Sequence, residues 1–164
     1  MGLDMYLTAE KFIPDSDFGF EDGQYVPRLR PDYAKIVSLF PEWADEKAPH
    51  KSVTLNLTIG YWRKANAIHD WFVTNVAGGV DDCRQMYVPD PMLRNLRATV
   101  EHVLEVHTEE EARRLLSPAE GFFFGTYDID EWYWESLKET VEILNKAITL
   151  AEDNHLSIYY RASW

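Results

Sequence analysis

Three stretches of the chain alternate apolar and polar residues with a period of two. Leu3, Met5 and Leu7 alternate with Asp4, Tyr6 and Thr8. Val53, Leu55, Leu57, Ile59 and Tyr61 alternate with Thr54, Asn56 and Thr58, and Ile158, Tyr160 and Ala162 alternate with Tyr159, Arg161 and Ser163. Successive side chains of a strand point to opposite faces, so the pattern describes strands with one buried face. It predicts that both ends of this chain lie in one sheet.

Between these runs the period changes to that of helices. A short helix is expected over 32–39, ended by Pro41. Gly60 is read as closing the middle strand, and Ala65, Ile68, Phe72 and Val76 form a helical stripe over 61–76 that stops at Gly78-Gly79. Asp90 as N-cap and Pro91 at the first position open a helix with Leu93, Leu96, Val100, Val103 and His107 on one face. Thr108 and Glu111 have the spacing of a capping box before a second short helix.

Asp128 or Asp130 caps the longest helix, whose inner stripe is Tyr133, Trp134, Leu137, Val141, Leu144 and Ile148. Residues 14–31, with Gly19, Gly23 and Pro27, read as an irregular excursion; 86–88 and 122–127 read as short strands. The expected fold is α+β, a small, mainly antiparallel sheet with helices packed mostly on one face. At 164 residues, one domain over 1–164 is expected.

A net charge of −12 opposes general nucleic-acid binding and attraction to anionic lipid, both of which need a surplus of Lys and Arg. The single cysteine, Cys83, and the absence of a leader pattern or a long apolar run point to a cytoplasmic protein without membrane spans. Aromatic residues make up 14% of the chain, more than a small core needs. They serve either a ring-rich core or a stacking pocket or interface.

Standard catalytic and phosphate-binding motifs are missing, and no cofactor or metal is expected. Asp81, Asp82 and Cys83, with His102 or His107, have no spacing that suits a particular metal. Two groups of residues stand out. Trp62, Asn66 and His69 fall on or beside the apolar face of the helix expected over 61–76, where a buried amide and imidazole need partners from the protein or a ligand. Arg63 and Lys64 accompany them at the first turn, where backbone amides favour an anion. The second group, Asp4, Tyr6, Asn56, Tyr159 and Arg161, shares the polar faces of the three strands. There it either recognises a nucleotide-like ligand or, for Asp4 and Arg161, forms a salt bridge.

The opening Met-Gly-Leu-Asp-Met-Tyr-Leu, the block Gly-Tyr-Trp-Arg-Lys-Ala-Asn-Ala-Ile-His at 60–69, Val80-Asp81-Asp82-Cys83, and Gly121-Phe-Phe-Phe-Gly125 before Asp130-Glu131-Trp132-Tyr133 resemble a family of small proteins of bacteriophages and bacterial genomes. The resemblance covers nearly the whole chain. It implies a cytosolic accessory protein acting on host metabolism or host defence. The expectation that follows is a non-catalytic binder of a small anionic, nucleotide-derived ligand, which sequesters a host signal. The alternatives are a metal-independent hydrolase or transferase using His69, oriented by Asp4 or Asp81, and an interaction module whose exposed rings bind a host protein. Assembly into a homo-oligomer is left open.

Overall fold

The computed structural model describes residues 2–43, 51–119, 127–154 and 156–164. Its elements are β1 (Asp4–Pro14), β2 (Ser16–Glu21), β3 (Gln24–Leu29), α1 (Pro31–Val37), β4 (Ser52–Arg63), α2 (Asn66–Asn75), β5 (Met86–Tyr87), α3 (Asp90–Val106), α4 (Glu109–Leu115), α5 (Glu131–Asn154) and β6 (Ser157–Ser163). They divide between two compact units, residues 1–9 with 57–164, and residues 10–56.

The larger unit is built on a four-stranded, mainly antiparallel sheet of order β4-β1-β6-β5. Leu3 and the β1 residues Met5 and Leu7, with Ile158, Tyr160 and Ala162 of β6, are buried on one face, as their alternation predicts. Over that face lie Ile68 and Phe72 of α2, Leu93, Leu96, Val100 and Val103 of α3, and Leu137, Leu144 and Ile148 of α5. Rings knit the layers together: Phe72 stacks on Tyr160 with centroids 4.0 Å apart. The α+β arrangement expected from the sequence is the one observed. No helix among the described residues is long and apolar enough to cross a membrane.

β4 departs from its expected reading twice. It runs through Gly60 to Arg63 instead of closing at the glycine, and the inward residues of its last part are Gly60 and Trp62. Leu57 and Tyr61, expected inside, are exposed. Gly60 sits under α5 so closely that a Cβ there would lie 2.2 Å from Ile143 Cγ2. Trp62 fills the next inward position and donates from Nε1 to Thr140 Oγ1 over 2.9 Å. Parity is thus set by one glycine and one ring, against the aliphatic majority of the strand.

α2 accordingly begins at Asn66, after Lys64 turns the chain with φ of 58°. α3 starts one residue earlier than expected, with Pro89 as N-cap. His107 leaves the inner face because it is the left-handed C-cap of that helix, and its ring lies 4.1 Å from that of Trp134. At α4 the Thr108 hydroxyl accepts from Glu111 N, half of the expected capping box. The other half is absent from the described bonds because the Glu111 carboxylate is taken by Arg114 and His102. Thr108→Ala is expected to cost about 1 kcal/mol, measured by urea unfolding. Asp130 caps α5 by accepting from Tyr133 N over 3.0 Å.

In the smaller unit, residues 14–31 are an ordered hairpin and not an irregular excursion: β2 and β3 pair antiparallel from Ser16↔Leu29 to Glu21↔Gln24. The two-residue turn is Asp22-Gly23, both at positive φ (48° and 80°), the conformation that hairpin turns demand and that Asp-Gly supplies readily. Ile13 and Tyr33 are the buried apolar residues of this unit among those described. The strand expected over 122–127 lies outside the described residues except for Tyr127.

Candidate functional site

His69 is 2% exposed and sits between two protein groups. Its Nδ1 is 2.8 Å from the Tyr160 hydroxyl and its Nε2 is 3.1 Å from Asp81 Oδ2. Burial raises the Tyr160 pKa well above 10, so its hydroxyl stays protonated. With that O–H donating to Nδ1, a neutral imidazole carries its proton on Nε2 and donates it to Asp81. The Trp164 ring packs against the same imidazole, with centroids 5.7 Å apart. The space beside the cluster is about 10 Å³, room for no more than one water. A general base needs a nitrogen open to substrate, and both nitrogens here are occupied by the protein. The Tyr160–His69–Asp81 chain therefore reads as a polar pin between β6, α2 and the loop after α2.

The residues expected on the open face of the sheet are only partly brought together. Asp4 accepts a 2.5 Å hydrogen bond from the Tyr61 hydroxyl, which raises the phenol pKa, and the Tyr6 and Tyr61 rings lie 5.3 Å apart. Asp4 thus has Tyr61 as its partner, and the anticipated bridge to Arg161 is not formed. Tyr159 meets Tyr87 across the β5–β6 pair, and Arg161 is exposed further along β6. Asn56 belongs to the smaller unit, where its amide donates to Glu10 over 2.6 Å.

A cleft of about 750 Å³ opens where the end of β4 and the start of α2 face α5. Arg63, Lys64 and Asn66 stand on the first side. Asn66 is buried and its amide donates to Ala119 O over 3.3 Å. The α5 side carries Glu135, Glu139, Glu142 and Lys146 at helical spacing, with Ile143 between them and exposed Trp132 at the first turn. Tyr61 lines the cleft from the β4 side, while its ring packs on Tyr6 and its hydroxyl bonds Asp4. Asp130 is engaged in capping and Glu135 pairs with Lys138. Arg63, Lys64 and Lys146 on one hand, and Asp128, Glu139 and Glu142 on the other, form no ion pair among the described residues. The cleft is therefore amphoteric, with rings at hand.

Of the expected residues, Arg63 and Asn66 line this cleft, Trp62 is sealed beneath it in the core, and His69 lies at the polar pin. Sequence reasoning missed the α5 wall, because its Glu residues have the spacing of a solvated helix face. Only the topology shows what they look across at. Cys83 is exposed with φ of 60°, and His102 is bonded to Glu111; no group of His, Cys, Asp and Glu suited to holding a metal occurs among the described residues. Comparison with models of protein families, with curated proteins and with solved structures gives no match.

Proposed function

We propose that the protein is a non-catalytic binder whose cleft between β4, α2 and α5 takes a small ligand joining an anionic group to a planar, amine-bearing ring, the chemistry of a nucleotide. The observation that carries this reading is the amphoteric wall-to-wall arrangement of the cleft. Arg63 and Lys64, beside the first turn of α2, suit an anionic group. Trp132 offers a ring face, and Glu139 and Glu142 accept hydrogen bonds from exocyclic amines. The lining carries three cations against five carboxylates, Asp128, Asp130, Glu135, Glu139 and Glu142, a balance that suits a compact monophosphate better than a polyanion. The sealed His69 supports binding without turnover. In biological terms the reading is a phage or prophage accessory protein that withdraws a nucleotide-derived signal from its host.

Isothermal titration of the full chain with the common ribonucleoside monophosphates tests it. At least one is expected to bind with a dissociation constant that rises with salt, and Arg63→Glu is expected to weaken it at least tenfold without changing the melting temperature. No binding by any of them, or equal binding by Arg63→Glu, would overturn the reading.

A further inference from the structure

The hairpin of the smaller unit is amphipathic across its two faces. The cross-strand pairs Phe18↔Pro27, Phe20↔Tyr25 and Ser16↔Leu29 place side chains on one side, and Asp17↔Arg28, Gly19↔Val26 and Glu21↔Gln24 place theirs on the other. The second side is polar and internally satisfied: Arg28 passes over Gly19 to bond Glu21, and Arg30 from the end of β3 bonds Asp17. The first is apolar and bare. Phe18 is 73% exposed, Phe20 66%, Tyr25 74% and Leu29 66%.

A two-stranded ribbon is marginal in water unless a face is covered, and contiguous exposed rings mark an interaction surface. From this we infer that the apolar face of β2–β3 is a self-association surface, which a second copy of the chain covers face to face about a two-fold axis. Two features of the hairpin favour a like partner.

The first is area. Aromatic side chains bury roughly 150–250 Å² each when fully covered. At the exposures above, Phe18, Phe20, Tyr25 and Leu29 offer about 500 Å² a side, so a symmetric pair buries about 1,000 Å², where specific interfaces begin. The second is charge. The whole chain carries −12, yet over 16–30 the acids Asp17, Glu21 and Asp22 stand against Arg28 and Arg30, a net of −1. Both arginines are held by acids of the same unit, so two hairpins meet with little repulsion and with no surplus cation to attract anionic lipid.

Sedimentation velocity of the full chain across micromolar concentrations reads the outcome. A species of twice the chain mass is expected, and Phe18→Glu or Tyr25→Lys should each weaken association by roughly 100-fold, the effect of losing a central ring. Far-ultraviolet circular dichroism should be unchanged in both, and Gln24→Lys, on the polar side, should associate like the parent. A parent chain that stays monomeric at 100 micromolar overturns the inference. So does a dimer indifferent to both ring substitutions. Flotation of a monomer with phosphatidylcholine vesicles would reassign the face to a lipid surface; a monomer that ignores vesicles would reassign it to a different protein.

Discussion

Tyr160→Ala is expected to lower stability by about 3–5 kcal/mol, a fall in melting temperature on the order of 10 °C for a domain of this size. The side chain is fully buried, lies flat on Phe72 and holds one nitrogen of His69. Removing it opens a cavity and strands a buried imidazole. Tyr160→Phe keeps the ring stack and removes only the hydroxyl, so its cost of about 1–3 kcal/mol measures the polar pin separately. Urea unfolding of the two variants apportions the site. The phenol also predicts an alkaline limit. Its pKa is raised in the folded state, so above pH about 10 the unfolded chain releases protons that the folded chain keeps, and stability falls as pH rises. Tyr160→Phe should flatten that limb, after allowance for Tyr133, whose pKa burial also raises, and for Tyr61, whose pKa the bond to Asp4 raises.

The second large effect is expected at Gly60. Gly60→Val places three carbons where Ile143 already stands 2.2 Å from the position of a Cβ. Ile143 is β-branched within α5, so its side chain has little rotamer freedom with which to yield. Either α5 moves off β4 or the strand twists. A cost of about 3 kcal/mol, at the upper end for overpacked cores, is expected in thermal unfolding. Because Ile143 and the end of β4 also line the cleft, the variant should bind any cleft ligand less well even at temperatures where it is folded. Ile143→Ala in the same background should recover part of the stability by vacating the contested volume.

The terminal strands were legible because alternation survives intact over Asp4–Ala9 and Ser157–Ser163. Inward Ile158, Tyr160 and Ala162 follow from period two alone. The middle strand misled because its most apolar residues are not its inward ones. Leu57 and Tyr61 stay in solvent while a glycine turns toward α5, and no count of apolar residues shows that a helix will approach the backbone there. The hairpin was hidden by its own composition. Two glycines and a proline suggested a loop, although Glu21-Asp22-Gly23-Gln24 contains the turn that joins two strands.

At the candidate site, the inward direction of Asn66 and His69 was readable from helical spacing, although Trp62 reaches the core from the strand instead. Of the two carboxylates named for His69, Asp81 is the one that bonds it, whereas Tyr160, 91 positions away along the chain, was not readable. The cleft was invisible for a similar reason. Glu139, Glu142 and Lys146 look like a solvated stripe until the end of β4 is placed opposite them.

The sheet order also dictates when this protein can finish folding. β1 and β6 are neighbours at its centre, yet the Thr8 hydroxyl donates to a carbonyl, that of Tyr159, 151 positions away. Ring closure over such a span carries an entropic cost that few local contacts offset in advance. While the chain is being made, N-terminal end first, the edge of β1 that β6 will fill stays unpaired until β6 has left the ribosome. The helices of 66–154 can gather early, whereas the sheet that organises them closes last. A strand edge left open for the longest part of synthesis is the segment a chaperone would hold, and the place where crowded chains would first stick together.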